Sequence, residues 1–225
     1  MATGYLLQHM RESIFVLPIM IIKKMKSIGI SGTLAHWIHD FLTNRKQHII
    51  VNGTISKPSD VKSGVPQGTV LGPILFLILI NDIDQEVSSK VSLFADDTRV
   101  MGPVREEADV ENIQRDLNRI YEWQQTNNML FNGSKFEMLR YGKNADLKMD
   151  TSYFSPNYED VIEVKESLRD LGIIMSDNAN FSKHIDKVCT TVKQKSSWIL
   201  RTFHNRQTPF MKLMWKTLVQ GHIDY

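Results

Sequence analysis

The chain has 225 residues, 42% of them hydrophobic and 23% charged. That is enough to bury a core in one domain or a tight pair of subdomains, and it excludes a low-complexity or disordered class. The single cysteine, Cys189, excludes an internal disulfide and a cysteine-rich zinc site and suits a reducing, intracellular compartment, where no disulfide-linked partner is expected; the sequence leaves nucleus and cytoplasm open.

The net charge of +2 hides an asymmetry. From Phe181 onward there are eight Lys or Arg against Asp186 and Asp224, which is +6; the preceding 180 residues therefore sum to −4. A basic C-terminal segment on an acidic body suits a polyanionic partner, although a solvated cationic helix face explains the count equally well. The longest apolar run, "ILFLILI" (74–80), is far below the roughly 20 residues of a membrane span. "IFVLPIMII" (14–22) is short, contains Pro18 and lacks the flanks of a signal peptide.

In chain order, Leu34, Trp37, Ile38, Phe41 and Leu42 predict one face of a helix, capped by Ser31 or Thr33 and closed by Arg45 and Lys46. "QHIIVNGTIS" predicts a hairpin around Asn52-Gly53. "KSGVPQG" (62–68) is a loop punctuated by Gly64, Pro66 and Gly68. "GPILFLILINDI" predicts a helix with Pro73 at its first position, apolar on all sides and so buried. "VSLFADD" is a strand, with "TRVM" its return partner. Val110, Ile113, Leu117 and Ile120 mark a second amphipathic helix over 106–126.

"KFEMLRY" (135–141) alternates as a strand, 144–160 is a polar loop or irregular hairpin, and "VIEV" and "LGIIM" are short strands. Ile185, Val188, Val192, Ile199 and Phe203 give a helix over 181–203 whose other face carries lysines. Without βαβ regularity, these elements predict an α+β fold with an antiparallel component.

Asp96 and Asp97 sit at the turn between two strands. Such a turn throws its side chains off the sheet end, where adjacent carboxylates repel unless a hard divalent cation lies between them. A solvated Asp-Asp turn is the commoner meaning of an isolated "ADD". Here "GVPQG" and "LGPILF" precede "FADD" by one buried helix and one strand. That combination resembles the reverse transcriptases of non-LTR, LINE-type and jockey-like retrotransposons, over roughly Lys23 to Tyr225. "LNRIYEWQQTNNMLFNGSKFEMLRYG" and "LRDLGIIMSDNANFSKHI" resemble the stretches that follow "FADD" in those elements.

The resemblance implies a right-hand polymerase palm, an antiparallel sheet backed by helices, with a partial helical thumb and fingers largely missing. It implies RNA-directed DNA polymerase chemistry on an RNA template, a DNA primer and deoxynucleotide triphosphates, with two Mg2+ ions and no membrane. Asp96 and Asp97 would hold the metal, Phe94 would stand beside the primer end, and Pro66, Gln67 and Gly68 would pack on the template base and nucleotide. Lys135 would assist the pyrophosphate leaving group. Leu171 and Gly172 would form the primer grip. Lys183, Lys187, Lys193, Lys195 and Arg201 would bind nucleic-acid backbone from the thumb. His184 has no metal partner at useful spacing and reads as a packed or capping residue.

The family also places an aspartate on a separate strand, in a stretch reading approximately D-F-x-K-A-F-D. Aligned back from "KKMKSIGISG", it should fall near residues 5 to 10, but no Asp precedes Asp40 and Glu12 is the only acid in the first 39 residues. The expected organisation is therefore a divergent segment (1–22) in place of fingers and first motif, a palm with a residual fingers hairpin (23–145), a primer-grip connection (146–180) and the truncated start of a thumb (181–225). A decayed copy or a spliced gene product would both read this way. Loss of the bridging ligand predicts a chain without polymerase activity. The rival is a non-catalytic nucleic-acid-binding remnant. A two-metal nuclease is disfavoured because cleavage has no use for the "GVPQG" loop.

Overall fold

The computed structural model describes residues 2–9, 18–95, 97–129, 136–141, 152–154 and 161–224, the first of these by backbone. The chain divides into two units, Met1–Val164 and Lys165–Tyr225.

The first unit is built on an antiparallel sheet. β1 (Ala2–His9) lies between β7 (Asp97–Val104) and β8 (Glu137–Tyr141); β6 (Lys90–Phe94) pairs with the outer edge of β7, and β9 (Glu163–Lys165) follows β8. The sequence reading placed no strand at residues 2–9, yet they form the middle of the sheet. Their register runs from Ala2 opposite Val104 to His9 opposite Asp97. On β7, Thr98, Val100, Gly102 and Val104 are buried and alternate with half-buried or exposed neighbours, as a sheet covered on one face requires.

Helices cover that face. α1 (Pro18–Ser27) buries Ile21 and Met25, and α2 (Gly32–Leu42) buries Ala35, Ile38 and Leu42. The buried stripe of α2 differs from the predicted one: Leu34 and Trp37 are exposed, because the small Ala35 lets the other edge of the helix approach α1. Ser31 takes the cap position without a side-chain hydrogen bond, while Arg45 closes the helix by donating from Nε to the Leu42 carbonyl at 2.9 Å.

α3 (Leu71–Ile80) starts before Pro73, which is its third residue rather than its first. It buries Gly72, Leu75, Leu79 and Ile80 but leaves Ile74 and Leu77 exposed, so the prediction of burial on all sides is corrected. α4 (Glu107–Thr126) buries Ile113, Leu117 and Ile120 as its spacing predicts. Most of 144–160 lies outside the described residues; Gln114 of α4 clamps Phe154 by donating to its carbonyl (3.2 Å) and accepting its N–H (2.8 Å).

Two polar groups tie these helices together, and the sequence reading found neither. Lys24 of α1 donates to the Leu79 carbonyl at 2.6 Å, pairs with Asp82, and stands 4.6 Å from the centre of the Trp123 ring, whose Nε1 donates to the same Asp82 at 2.8 Å. Burial pushes the Lys24 ammonium below its ordinary pKa, against the pull of Asp82.

Asp116 of α4 is fully buried and accepts from Ser88 N (3.1 Å), Ser88 Oγ (2.8 Å) and Ser89 N (2.7 Å). Burial works to raise its pKa, but the hydrogen bonds from Ser89 and Ser88 prevail and hold the carboxyl below its usual range.

In the second unit, β10 (Ser167–Asp170) and β11 (Ile173–Ser176) form a hairpin closed by Leu171 (φ +44°) and Gly172 (φ +91°). Both turn residues take positive φ, the geometry of a two-residue hairpin turn. α5 (Ser182–Thr202) packs on β11, and α6 (Thr208–Leu218) follows with its own first-turn proline, Pro209. Only Ile199 of α5 is buried and Ile185 is exposed, so the predicted apolar face is only partly covered.

Asp116 supplies a pH-dependent part of the stability. Its folded pKa is depressed, so its contribution is present above the unfolded value near ~4 and is lost as pH falls through the folded value. Asp116→Ala removes the charged acceptor of three hydrogen bonds from Ser88 and Ser89 and is expected to cost about 3 kcal/mol at neutral pH, measured by urea unfolding. Asp116→Asn is expected to flatten the acid limb of the stability curve.

Candidate nucleic-acid and nucleotide site

The FADD stretch forms the tip of the β6–β7 hairpin. Phe94 pairs with Asp97 in register, and Ala95 follows Phe94 at the hairpin turn. Ala95 takes φ +51°, a left-handed conformation that costs a non-glycine residue roughly 1–2 kcal/mol. Phe94 and Ala95 are exposed, and Asp97 is half-buried at the start of β7. Asp96 and Lys135, both predicted site residues, lie outside the described residues.

The GVPQG loop is held from both sides. Arg45 donates from Nη2 to the carbonyls of Ser63 (3.0 Å) and Gly64 (2.6 Å). Thr69 Oγ1 donates to the Pro66 carbonyl at 2.8 Å and accepts from Gly72 N at 3.1 Å, which pins the turn to the first turn of α3. Gly68 takes φ +76°, where a side chain would be strained. At Gly72 the constraint is space: an added Cβ would meet the Pro66 carbonyl oxygen at 3.0 Å and Thr69 Oγ1 at 3.3 Å.

Loop and hairpin meet. Pro66, Gln67, Gly68 and Thr69 line one open cavity of about 580 Å3 together with Pro73, Phe76 and Leu77 of α3 and with Ala95. The exposed Leu77 thus has a place: it forms apolar wall. The structure therefore brings the three predicted loop residues together with Ala95 of the β6–β7 hairpin turn. Thr69 was missed by sequence reasoning, and Arg45 was read only as closing its helix; the hydroxyl directly after the glycine of "PQG" was the available signal for Thr69.

The remaining predicted residues lie in the second unit. Leu171 and Gly172 form its hairpin turn. His184 accepts the Ile174 N–H at 3.4 Å through Nδ1, the contact of a packed histidine. Lys183, Lys187, Lys193 and Arg201 are exposed on α5 and Lys195 is half-buried. Lys183 Nζ also donates to Ser167 Oγ at 3.2 Å.

The reverse transcriptase (RNA-dependent DNA polymerase) family profile matches residues 19–175, well over half of the chain. The chain belongs to the reverse transcriptase family. It is 30% identical over 174 residues to the "Probable RNA-directed DNA polymerase from transposon X-element" of Drosophila melanogaster, covering 72% of this chain and 18% of that protein. It is 25% identical over 176 residues to the RNA-directed DNA polymerase from mobile element jockey of the same organism, covering 72% and 19%. This reverse transcriptase chain thus spans about a fifth of the length of the curated relatives it matches.

Among solved structures it is similar to apo telomerase from Candida tropicalis truncated from its C-terminal domain (TM-score 0.54, 10% identity, 78% of this chain and 34% of that one). It is also similar to telomerase from Candida albicans in complex with a TWJ fragment of telomeric RNA (TM-score 0.52, 12% identity, 99% and 40%). These likenesses bear out the α+β right-hand polymerase fold. Among the described residues no helix is long and apolar enough to cross a membrane.

Reverse transcriptases generally use divalent metal ions. Asp97 offers one described carboxylate at the hairpin, but β1, the strand paired with it, carries neither Asp nor Glu from Ala2 to His9 and places His9 opposite Asp97. Among the described residues, no three His, Cys, Asp or Glu side chains gather around a metal position. The described residues therefore do not fit a two-ion site.

Gly72→Ala is expected to cost about 1–3 kcal/mol by urea unfolding, because its Cβ meets backbone that α3 holds in place. Thr69→Val, which keeps the volume and removes both hydrogen bonds, is expected to cost about 1–2 kcal/mol.

Proposed function

We propose that this chain holds template, primer and deoxynucleotide as the palm of a mobile-element reverse transcriptase. The observation that carries this reading is the shared cavity, where Pro66, Gln67 and Gly68 meet the Ala95 turn. Its walls are mostly aliphatic side chains and loop backbone, a surface that accepts a flat base without reading its edge. In this reading Phe94 borders the primer end, Lys135 serves the pyrophosphate, and Leu171–Gly172 grips the primer. Lys183, Lys187, Lys193, Lys195 and Arg201 neutralise phosphates. Magnesium is the expected ion, by family.

A binding role without turnover is favoured by one further observation: the strand paired with Asp97 has neither Asp nor Glu in its sequence from Ala2 to His9. If loss of that ligand costs about 4–6 kcal/mol in the transition state, the rate falls roughly 10³–10⁴-fold or more.

Primer extension by the purified chain on an RNA template with Mg2+ separates the two. The expected result is retained binding of template–primer with no extension above background, unchanged by Asp96→Asn. Extension abolished by Asp96→Asn would show a working polymerase. Lys187→Gln is expected to weaken binding similarly on all sequences and to lower the salt slope by about one.

A further inference from the structure

The ribbon between α2 and the GVPQG loop has an unexplained surface. Its base is β2 (Arg45–Gln47) paired with β5 (Ser59–Val61), and its tip is β3 (Ile50–Val51) paired with β4 (Thr54–Ile55) around Asn52 and Gly53, both at positive φ. The ladder continues through Ser56, whose N–H donates to the Ile49 carbonyl and whose Oγ accepts from Ile49 N, each at 2.9 Å.

Every residue from Lys46 to Asp60 is exposed. Among them are Ile49 (69% exposed), Ile50, Val51 and Ile55 (each 61%). Ile50 and Ile55 are cross-strand partners on one face, and Ile49 and Val51 alternate to the other. Four large aliphatic side chains on a projecting ribbon are not explained by packing within the chain.

The charge around the tip indicates its partner. Arg45, Lys46, Lys57 and Lys62 against Asp60 give 4 − 1 = +3 over residues 45–62, with His48 in addition. Lys46 lies opposite Asp60 in register, so Lys57 and Lys62 carry the unbalanced charge, together with Arg45, whose guanidinium is engaged with loop carbonyls. A polyanion complements this surface; the same ribbon of a second copy does not, and four aliphatic side chains cannot supply the roughly 800 Å2 per partner of a stable protein interface.

The tip has no aromatic ring, so it offers no stacking platform for single-stranded bases. Aliphatic groups suit the sugar surface of a wide, shallow groove, which is the minor groove of an A-form, RNA-containing duplex. The ribbon is also rooted in the loop of the shared cavity, because β5 leads directly into it and Arg45 binds its carbonyls.

We propose that the 45–62 ribbon docks into the minor groove of an RNA-containing duplex, with Ile50 and Ile55 against sugars and Lys57 and Lys62 on the flanking phosphates. The proposal rests on the polymerase-palm reading.

The test is an anisotropy titration of the full chain with a short labelled RNA–DNA hybrid between about 50 and 200 mM salt. Ile50→Ser/Ile55→Ser is expected to weaken hybrid binding at least about fivefold at every salt concentration with an unchanged salt slope, and to leave single-stranded RNA binding as it was. Lys57→Gln/Lys62→Gln is expected to lower the salt slope by about two. Both changes lie on exposed positions, and thermal melts check that each variant folds. Wild-type affinity in the serine variant overturns the ribbon proposal while the palm reading stands. A serine variant that converts a dimer to a monomer at unchanged hybrid affinity assigns the surface to a second copy and also overturns it. Failure of the wild-type chain to bind any hybrid overturns both readings.

Discussion

A buried carboxylate fixes the geometry of this unit. Asp116 draws Ser88 and Ser89 onto α4, immediately before β6 begins. From there β6 runs to Phe94, and the turn at Ala95 follows at a distance set by strand geometry alone. The same helix carries Trp123, which meets Lys24 and Asp82, so α1, α3 and α4 are joined by polar contacts as well as by shared apolar core. A polar network of this kind specifies one arrangement because any other leaves a donor or acceptor buried without a partner.

Two short segments from distant parts of the sequence form the shared cavity: Ala95 is held at a φ that costs a non-glycine residue energy, and the loop is held by close packing and hydrogen bonds. Ala95 and Gly68 have positive φ, and Gly72 is packed without room for a methyl group. The loop is constrained by Arg45 on one side and Thr69 on the other. Strain and clamping together keep an exposed apolar surface open where an unconstrained loop would collapse over it.

The Asn52-Gly53 hairpin was legible in the sequence because its turn is chemically specific, with glycine where φ must be positive; Leu171 and Gly172 were read into the strand "LGIIM", and only the family resemblance placed a hairpin where the structure has their turn. The FADD turn was legible through its spacing from "GVPQG". α1 was hidden because Pro18 reads as a breaker inside an apolar run, whereas it is the first helical residue, where its missing N–H is harmless. β1 was hidden because "ATGYLLQH" has neither alternation nor β-branched enrichment; its neighbours on both sides determine its state. The exposed face of α3 was misjudged because an all-apolar helix gives no sign of which side meets a cavity. Asp116 left a signal that could have been used: an acid between Ile113 and Leu117 within a buried stripe needs donors nearby.

The position of β1 shapes how the sheet is assembled. Its partners on β7 lie roughly a hundred residues away in sequence, and those on β8 lie further still. Until both are available, β1 is an unpaired edge and the β6–β7 hairpin has no sheet to join. Pairings of such high sequence separation are slow, and the waiting strands can pair with other chains. Synthesis therefore leaves an interval, ending only when residue 141 has left the ribosome, in which the central strand lacks at least one of its two native partners.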